Sequence, residues 1–377
     1  MTEERQNTGM QDTQMPAPFS RDTDVWEILR HADAPIVMYG TGNGADKLLA
    51  VFEERGIRCR GFFASDGFVR KRTFHGLPVL SYEQALEVYG EDMIIAVGFA
   101  SNRPEVMERM TALSRRHRLY MPPVPVFGSL HEEDGRGGIF DLAYYHRHVR
   151  ELETVSTFFL DEISRTCYNA VIDYRLSGDI SYLTACMHTP DTWYALLHSE
   201  RFFTYADMGA YTGDTLRETA HFAPELRHVI AAEPDPRTFR KLRAAAWQVG
   251  VPRTELFPCA AWNCRTRLPF GAKGSRGSAT DAKTARTEVE TRTPDEMLRD
   301  ARPDFIKYDV EGAEREALLG SVRTLRCAHP SLLLSLYHRT EDIYALPLLL
   351  RQLCPDYRLY LRRGRCLPDW EIQLLAR

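Results

Sequence analysis

The most informative stretch of this sequence is FTYADMGAYTGDT, which runs from Phe203 to Thr215. A short apolar run leads into an acid, Asp207, and then into a turn that contains Gly209 and Gly213. Glycine adopts positive φ and lets a backbone approach a ligand closely. A helix predicted to begin near Thr215 would present free N–H groups at its N-terminus. This order favours a site for a small nucleotide-like ligand, although a glycine turn also joins strand and helix in other α/β domains.

A second acid supports the ligand interpretation. The residues Val229-Ile230-Ala231-Ala232-Glu233 predict a strand that ends in a carboxylate. A carboxylate at the tip of the second strand is the usual partner of a ribose diol. The ligand is therefore a dinucleotide or S-adenosylmethionine (SAM). The turn after Asp207 reads Gly-Ala-Tyr-Thr-Gly and not the pyrophosphate fingerprint Gly-x-Gly-x-x-Gly, and this difference favours SAM.

Length and composition limit the partners. The 377 residues are 44% hydrophobic and 27% charged, an ordinary globular composition with room for two domains. The net charge of -4 gives no electrostatic basis for binding nucleic acid, and no apolar run approaches the length of a membrane span. Residues 1–21 lack the apolar core of a signal peptide, and the eight cysteines lack zinc-site spacing. A cytoplasmic protein with free thiols is predicted.

Alternating strands and helices predict an α/β protein with two Rossmann-like parallel-sheet domains joined by a helical bridge. We predict a disordered tail over residues 1–22 and a Rossmann-like accessory domain over residues 23–130. The bridge covers residues 131–200, and residues 201–377 form the second sheet domain.

The first domain has its own glycine turn. Its strands are predicted at 36–39, 59–64, 93–97 and 118–120, and its helices at 47–55, 82–89 and 104–116. The turn Gly40-Thr41-Gly42-Asn43-Gly44-Ala45 satisfies Gly-x-Gly-x-x-Ala, which admits a nucleotide site. The second strand leads into Ala64-Ser65-Asp66, so Asp66 is the candidate for a ribose contact. A degenerate domain with a purely structural role is the alternative.

The bridge is predicted to be helical between residues 144 and 174. Apolar residues recur there at helical spacing, namely Leu152, Val155, Phe159, Ile163 and Cys167. We interpret this stripe as a packing face.

The second domain is predicted to end in a hairpin. Its strands are expected at 202–207, 229–233, 255–260, 304–309 and 331–338, with a helix at 236–248. Residues 263–292 are polar and predict an exposed excursion or hairpin over the site. Residues 357–362 and 371–376 have no helix between them and predict the terminal hairpin. A parallel sheet finished in this way is the architecture of class I methyltransferases.

Four stretches of the second domain resemble the FkbM-type methyltransferases. In the family's order they are Asp207-Met208-Gly209-Ala210-Tyr211-Thr212-Gly213-Asp214-Thr215, Glu233-Pro234-Asp235-Pro236, Ile306-Lys307-Tyr308-Asp309-Val310-Glu311-Gly312-Ala313-Glu314 and Leu336-Tyr337-His338. The resemblance covers about residues 202–377. It implies a SAM-dependent enzyme that methylates a hydroxyl of a sugar, glycan or secondary metabolite. The first half is similar to the Rossmann-like domain often attached to such enzymes in glycan-related proteins. A small-molecule or glycan acceptor is expected, and a homodimer is compatible with the sequence.

The cofactor is expected across the strand tips at the first turn. Gly209 and Gly213 would frame the amino acid part of SAM, and Asp207 would hold its ammonium directly or through water. Glu233 would accept both ribose hydroxyls. The predicted cofactor-binding residues are Asp207, Gly209, Ala210, Tyr211, Gly213, Asp214, Thr215, Glu233, Pro234, Asp235, Cys259 and Ala260. Cys259 and Ala260 differ from the residues that often end the third strand in this family.

The acceptor is expected at the tips of the fourth and fifth strands. His338 is the preferred base, because its unperturbed pKa near 6.5 suits proton abstraction at neutral pH; a histidine that hydrogen-bonds a neighbouring loop is the alternative. Asp309 and Glu311 complete the predicted catalytic set, and Tyr337, His338 and Glu314 are the predicted substrate contacts. Asp309 and Glu311 would orient the acceptor or bind Mg²⁺. Two carboxylates without a clear third ligand do not favour a metal, and none is predicted.

Two other functions stay open at this point. One is an NAD(P)-dependent oxidoreductase or sugar-nucleotide enzyme that works at Gly40-Thr41-Gly42, but the proton-relay pattern Tyr-x-x-x-Lys is not found beside the first sheet. The other is a non-catalytic nucleotide-binding module that recruits a partner in glycan assembly. Such a module would keep Asp207 and Glu233 but would need no base on the acceptor side.

Overall fold

The computed structural model describes residues 15–65, 73–271 and 287–377. Most of the predicted tail, the candidate ribose contact Asp66 and the middle of the predicted excursion lie outside these residues. Two compact units divide the chain: residues 1–123, 169–187 and 366–369, and residues 124–168, 188–365 and 370–377. The predicted bridge is not one unit, because residues 169–187 belong to the first unit and the rest of the bridge belongs to the second. The predicted domain limits stay predictions. None of the described helices has both the length and the apolar surface that crossing a lipid bilayer requires.

The first unit contains a mixed sheet with helices before and between its strands. In order along the chain, the elements up to residue 120 are α1 (Val25–Arg30), β1 (Ile36–Tyr39), α2 (Asn43–Arg55), β2 (Cys59–Phe63), β3 (Thr73–Phe74), β4 (Leu77–Leu80), α3 (Tyr82–Tyr89), β5 (Ile94–Val97), α4 (Pro104–Arg116) and β6 (Leu119–Tyr120). The described strands form one sheet in the order β3-β4-β2-β1-β5-β6, in which only β3 runs antiparallel to its neighbour. The predicted strands and helices are confirmed, while α1 and the β3–β4 pair were not predicted.

Helices follow in the predicted bridge, after a short hairpin. The elements are β7 (Glu132–Glu133), β8 (Arg136–Gly137), α5 (Leu142–Ser156), α6 (Glu162–Ser177), α7 (Ile180–Thr184) and α8 (Pro190–Leu196). Four members of the predicted packing stripe are buried, but Ile163 is 52% exposed. The prediction was wrong for Ile163 because α5 ends at Ser156 and α6 begins at Glu162, so the two helices do not share one continuous helical phase.

The second unit carries the larger sheet. Its remaining elements are β9 (Thr204–Met208), α9 (Asp214–Phe222), β10 (His228–Ala232), α10 (Pro236–Val249), β11 (Arg253–Phe257), β12 (Ala260–Ala261), β13 (Arg267–Phe270), β14 (Thr287–Arg292), α11 (Pro294–Leu298), β15 (Phe305–Tyr308), α12 (Glu314–Leu319), α13 (Val322–Ala328), β16 (Ser331–Ser335), α14 (Asp342–Leu353), β17 (Leu359–Arg363) and β18 (Ile372–Ala376). The described strands of this sheet have the order β11-β10-β9-β15-β16-β18-β17. All neighbours are parallel except that β18 is antiparallel to both β16 and β17. The terminal hairpin and the class I arrangement are confirmed.

The polar excursion is a hairpin where it is described. Strands β13 and β14 pair antiparallel, with Arg267 opposite Glu290. Strand β12 pairs with β14 in parallel. The hairpin prediction is confirmed for these residues, and its place over the site stays a prediction.

Aromatic rings fill the core beneath the start of β9. The ring of Phe305 stacks on that of Phe202 at a centroid distance of 4.8 Å and on that of Tyr205 at 5.1 Å. All three side chains are buried. Alternate residues of a strand share a face, so Tyr205 and Asp207 lie on the same side of β9. Packing at one end of the strand therefore fixes the face on which the acid at its tip is presented.

Removing the ring of Phe305 is expected to eliminate most of the stacking contacts in this part of the core. We expect Phe305→Ala to lower the free energy of unfolding by about 3–5 kcal/mol, because truncating a buried Phe leaves a cavity. The matched control is Phe203→Ala, since the Phe203 side chain is 46% exposed; its effect should stay within about 1 kcal/mol. Urea denaturation of both variants measures the difference, and equal losses would contradict this description of the core.

Candidate active site

The predicted site residues meet at one edge of the larger sheet. Strands β10, β9, β15 and β16 are mutually parallel neighbours, so their carboxyl ends lie together. In the register, Asp207 of β9 stands beside Ala231 of β10 on one side and Lys307 of β15 on the other. Glu233 and Asp309 each follow directly after the end of a strand. This edge is where ligands bind in open α/β sheets.

The glycine turn after β9 has the predicted backbone conformation, but Gly209 is needed for a reason that was not predicted. Gly209 and Gly213 have φ values of +92° and +76°, so the predicted positive φ at Gly213 is confirmed. A Cβ on Gly209 would lie 2.0 Å from the backbone oxygen of Asp309. Gly209 is thus required by the packing of two strand tips, whereas the prediction assigned it to close approach of a ligand. Helix α9 begins at Asp214, one residue before the predicted start.

Glu233 is held by hydrogen bonds from the chain itself. Its Oε2 accepts from the backbone N–H of Tyr211 at 2.9 Å. Its Oε1 accepts from the N–H of Asp235 at 2.8 Å and from the hydroxyl of Thr238 at 2.8 Å. Burial raises the pKa of Glu233 to about 7, although these hydrogen bonds act in the opposite direction. A carboxylate offers about four lone-pair positions, so one position remains, on Oε2. Accepting both ribose hydroxyls, as predicted, would require Glu233 to release one present bond.

A row of alternating charges connects the tips of β9 and β15. The Nζ atom of Lys307 lies 3.6 Å from Oδ1 of Asp207 and 3.1 Å from Oδ2 of Asp309. Asp207 is fully buried, and neither of its carboxylate oxygens has a hydrogen-bond partner among the described residues. Burial raises the pKa of Asp207, and the attraction of Lys307 only partly offsets that rise. Two carboxylates share one ammonium here, so this part of the site carries excess negative charge.

His338 lies among three carboxylates. Its Nδ1 is 2.8 Å from Oε1 of Glu314, and its Nε2 is 3.4 Å from Oδ1 of Asp309 and 3.6 Å from Oε2 of Glu311. Burial alone would lower the pKa of this histidine, but the carboxylates outweigh burial and raise the pKa to about 10. The unperturbed pKa near 6.5, which was the reason for choosing His338 as the base, does not apply in this environment. An imidazolium has no free lone pair, so the role of His338 as base stays a prediction without that support.

The other predicted acceptor-side residues join this network. Glu311 has a left-handed backbone, with φ of +55°, which is uncommon outside glycine. Burial raises the pKa of its carboxyl to about 8. The hydroxyl of Tyr337 donates to Oδ1 of Asp309 at 3.4 Å. The structure therefore brings together the residues predicted for catalysis and acceptor binding.

Glu314 orients the histidine from behind. Its Oε1 accepts from the N–H of Val310 at 2.8 Å in addition to facing Nδ1 of His338. The side chain is buried, and its Oε2 has no hydrogen-bond partner in the described part of the chain. Glu314 was predicted to contact the substrate, and the structure shows it in contact with His338.

The residues that follow His338 contribute to the site and were not predicted to do so. The guanidinium Nε of Arg339 donates to the carbonyl of Gly312 at 2.7 Å. The backbone N–H of Arg339 donates to the buried carboxylate of Asp342 at 2.8 Å. The backbone N–H of Phe127 donates to the carbonyl of His338 at 3.1 Å. The polar run that follows β16 was the available signal, and these contacts fix the loops that carry Glu311 and His338.

Several predicted cofactor residues have structural roles. Asp235 caps α10 by accepting from the N–H groups of Arg237 and Thr238 at 2.8 and 3.3 Å. The thiol of Cys259 is buried against the sulfur of Met297 at 3.7 Å, and burial raises its pKa to about 12. Their contacts with the cofactor stay predictions, as do those of Ala210, Asp214, Thr215, Pro234 and Ala260.

The glycine turn of the first unit is closely packed. A Cβ on Gly40 would lie 2.6 Å from the ring of Phe99, and one on Gly44 would lie 2.5 Å from the carbonyl oxygen of Gly98. Gly42 has open space where its Cβ would be. Packing therefore accounts for two of the three glycines, and a nucleotide at this turn stays a prediction.

Comparison with known families decides the class of the larger sheet. Residues 207–363 match the family model described as the Methyltransferase FkbM domain. This part of the chain is similar to the FkbM methyltransferases. The matched segment begins at Asp207 and includes Glu233, Asp309 and His338. The protein is accordingly a SAM-dependent methyltransferase.

One solved structure shows the same fold over nearly the whole chain, and two others match about half of it more weakly. The FkbM methyltransferase from Methylobacillus flagellatus is 20% identical, with a TM-score of 0.69, over 96% of this chain and 94% of that one. Precorrin-6y C5,15-methyltransferase from Geobacter metallireducens is 14% identical, with a TM-score of 0.32, over 51% of this chain and 90% of that one. Fibrillarin from Aeropyrum pernix, solved with bound SAM, is 14% identical with a TM-score of 0.31, over 48% and 68%. No curated protein sequence matches the chain.

The charge row predicts a large effect of its lysine on stability. We expect Lys307→Met to lower the free energy of unfolding by about 3–5 kcal/mol, because it leaves the buried carboxylate of Asp207 without its cation. Lys241→Met is the control, since Lys241 is exposed on α10, and it should change stability by less than about 0.5 kcal/mol. Chemical denaturation at neutral pH measures both.

Adding Asp207→Asn to Lys307→Met should recover part of the lost stability, because the unpaired charge is removed. A Lys307→Met variant as stable as the wild type would show that the ammonium does not hold these carboxylates.

Proposed function

We propose that this FkbM-type methyltransferase transfers the methyl group of SAM to a hydroxyl of a sugar, glycan or secondary metabolite. The observation that carries the proposal is the buried carboxylate of Asp207, whose two oxygens have no hydrogen-bond partner among the described residues. A buried carboxylate is stable only when it is paired or hydrogen-bonded, and Lys307 is shared with Asp309. The arrangement supports a cationic ligand at the tip of β9.

The residues present fit SAM better than a dinucleotide. SAM carries an ammonium and a sulfonium, which complement the excess of carboxylates at this edge. A dinucleotide would bring an anionic pyrophosphate toward the same charges. Asp207 would hold the amino acid part, and the free position on Oε2 of Glu233 would hold the ribose. When bound, SAM supplies an electrophilic methyl group.

The acceptor side supports a hydroxylated substrate. Asp309, Glu311 and Tyr337 place several hydrogen-bonding oxygens within one network. Carboxylates accept hydrogen bonds from hydroxyl groups, so adjacent hydroxyls of a sugar or of a similar metabolite suit this surface. The residues must hold the acceptor oxygen about 3 Å from the methyl carbon and in line with its departing bond.

The remaining expectations are kept as proposals. The acceptor is a small molecule or a glycan, and nucleic acid is not among the partners. The cytoplasmic location and the homodimer predicted from sequence also stay proposals, and sedimentation velocity over a range of protein concentrations tests the homodimer.

Cofactor choice is tested by calorimetry on the full chain. We expect S-adenosylhomocysteine to bind with a micromolar Kd and NAD(H) not to bind. Asp207→Asn should weaken the binding of S-adenosylhomocysteine, because the carboxylate charge that attracts the ammonium is lost. Clear binding of NAD(H) without binding of S-adenosylhomocysteine would overturn the proposal.

The raised pKa of Glu233 predicts a pH dependence of cofactor binding. The ionised carboxylate accepts ribose hydrogen bonds, and the protonated carboxyl has lost part of this capacity. With a pKa of about 7, only about a tenth of the carboxyl groups are ionised one pH unit below it. The Kd for S-adenosylhomocysteine should therefore rise about tenfold between about pH 8 and about pH 6.

Glu233→Gln isolates this effect, because its glutamine side chain does not titrate. Its Kd profile should lack the rise toward low pH, and Glu255→Gln, which changes a surface carboxylate on β11, should keep the wild-type profile. Identical profiles for wild type and Glu233→Gln would exclude Glu233 as the ribose ligand.

A further inference from the structure

Glu311 is the least compensated of the three carboxylates around His338. Its carboxylate forms no hydrogen bond with the described residues, and Nε2 of His338 lies 3.6 Å from its Oε2. That separation is too long for a hydrogen bond. By contrast, Asp309 has the ammonium of Lys307 at 3.1 Å, and Glu314 has Nδ1 of His338 at 2.8 Å. The imidazolium therefore pairs mainly with Glu314, and the charge of Glu311 is only weakly compensated.

The backbone holds Glu311 in a conformation that glutamate rarely adopts. Glu311 and Gly312 have consecutive φ values of +55° and +91°. Strained backbone of this kind persists where the surrounding contacts impose it, and it clusters at functional sites. Nε of Arg339 donates to the carbonyl of Gly312 at 2.7 Å and so helps to fix the turn. The Glu311 side chain is still 26% exposed, so a ligand can reach its carboxylate.

The loop that carries Glu311 touches the turn proposed to hold the cofactor. A Cβ on Gly209 would lie 2.0 Å from the backbone oxygen of Asp309 and 3.3 Å from Cγ1 of Val310. Nζ of Lys307 also donates to the carbonyl of Gly209 at 3.4 Å. Glu311 directly follows Val310 in the chain. A ligand that lies along the Gly209 turn therefore extends toward the loop that carries Glu311.

We propose that the carboxylate of Glu311 attracts the sulfonium of SAM and thereby raises the affinity of the site for SAM relative to S-adenosylhomocysteine. This inference rests on the proposed position of SAM at the strand ends. The two molecules share their amino acid, ribose and adenine groups, but S-adenosylhomocysteine has a neutral thioether in place of the sulfonium. A carboxylate that attracts the sulfonium strengthens the binding of SAM alone. Asp207, proposed to bind the ammonium, acts on both ligands.

The titration of Glu311 gives the proposal a second signature. The titratable groups that surround Glu311 at the ends of β15 and β16 are Lys307, Asp309, Glu314, Tyr337 and His338. Burial raises the pKa of the Glu311 carboxyl to about 8, although the charge of His338 acts against this rise. The pKa values of Tyr337 and His338 lie higher still. The carboxylate is ionised above its pKa, so the preference for SAM should increase as the pH rises through that value.

Calorimetry on the full chain tests the proposal through the ratio of two dissociation constants. The Kd for SAM and the Kd for S-adenosylhomocysteine are measured for each variant at about pH 7 and about pH 9, on either side of the Glu311 pKa. At the higher pH, Glu311→Gln should weaken SAM binding about fivefold or more and change S-adenosylhomocysteine binding less than about twofold.

The pH dependence is read from the same measurements. In the wild type, the Kd for S-adenosylhomocysteine divided by the Kd for SAM should rise about threefold or more from about pH 7 to about pH 9. Glu311→Gln should not show this rise, because its side chain does not titrate. The titration of Glu233 cancels in the ratio, since the proposed ribose contact is common to both ligands.

Glu255→Gln is the matched control, because it also removes a carboxylate beside a histidine, with 2.9 Å between Oε1 of Glu255 and Nε2 of His228. It should keep both wild-type constants. Glu311→Asn is a second site variant, since asparagine adopts positive φ more readily than most residues, and it should lower the ratio as Glu311→Gln does.

The possible outcomes separate the two proposals. An unchanged ratio in both site variants would overturn the role of Glu311. Equal weakening of both ligands would also overturn it, because that result marks a structural role. Wild-type protein that binds neither ligand would overturn the proposed function, and this inference with it.

Discussion

The ion pairs of Lys307 are the interaction on which the site depends. A single ammonium lies between the acid that ends the first strand of the larger sheet and the acid that follows the neighbouring strand. Buried carboxylates repel one another and are costly without a cation. Lys307 allows Asp207 and Asp309 to stand side by side, and it still leaves the edge with a surplus of negative charge. That surplus is the electrostatic basis of the proposed preference for a positively charged cofactor.

The fold could be predicted from the sequence because its signals are local. Apolar runs followed by glycine turns marked the strands of both sheets, and the absence of a helix between residues 357 and 376 marked the terminal hairpin. The strand tips could be placed for the same reason, since carboxyl ends of parallel neighbours share one edge. The pair β3–β4 was missed because β3 has only two residues and β4 contains Pro78, a residue that argues against a strand when only the sequence is known.

The electrostatics of the site could not be predicted from the sequence. A pKa depends on burial and on neighbours distant in sequence, and His338 meets Glu314 only because two strands place their loops together. The predicted burial of Ile163 was wrong for a similar reason, because the break between α5 and α6 turns Ile163 away from the buried face. The structural roles of Gly209 and Asp235 also came from contacts that sequence spacing does not show. Local sequence patterns therefore located the site residues, whereas their protonation states could be inferred only from the folded structure.

The close approach of Gly209 to Asp309 has a consequence for how substrates bind. A Cβ on this glycine would lie only 2.0 Å from the carbonyl oxygen of Asp309, so no side chain separates the turn after β9 from the loop after β15. A shift of one backbone displaces the other directly. Cofactor and acceptor would then bind cooperatively or antagonistically rather than independently. By thermodynamic linkage, each ligand would change the affinity of the other by the same factor.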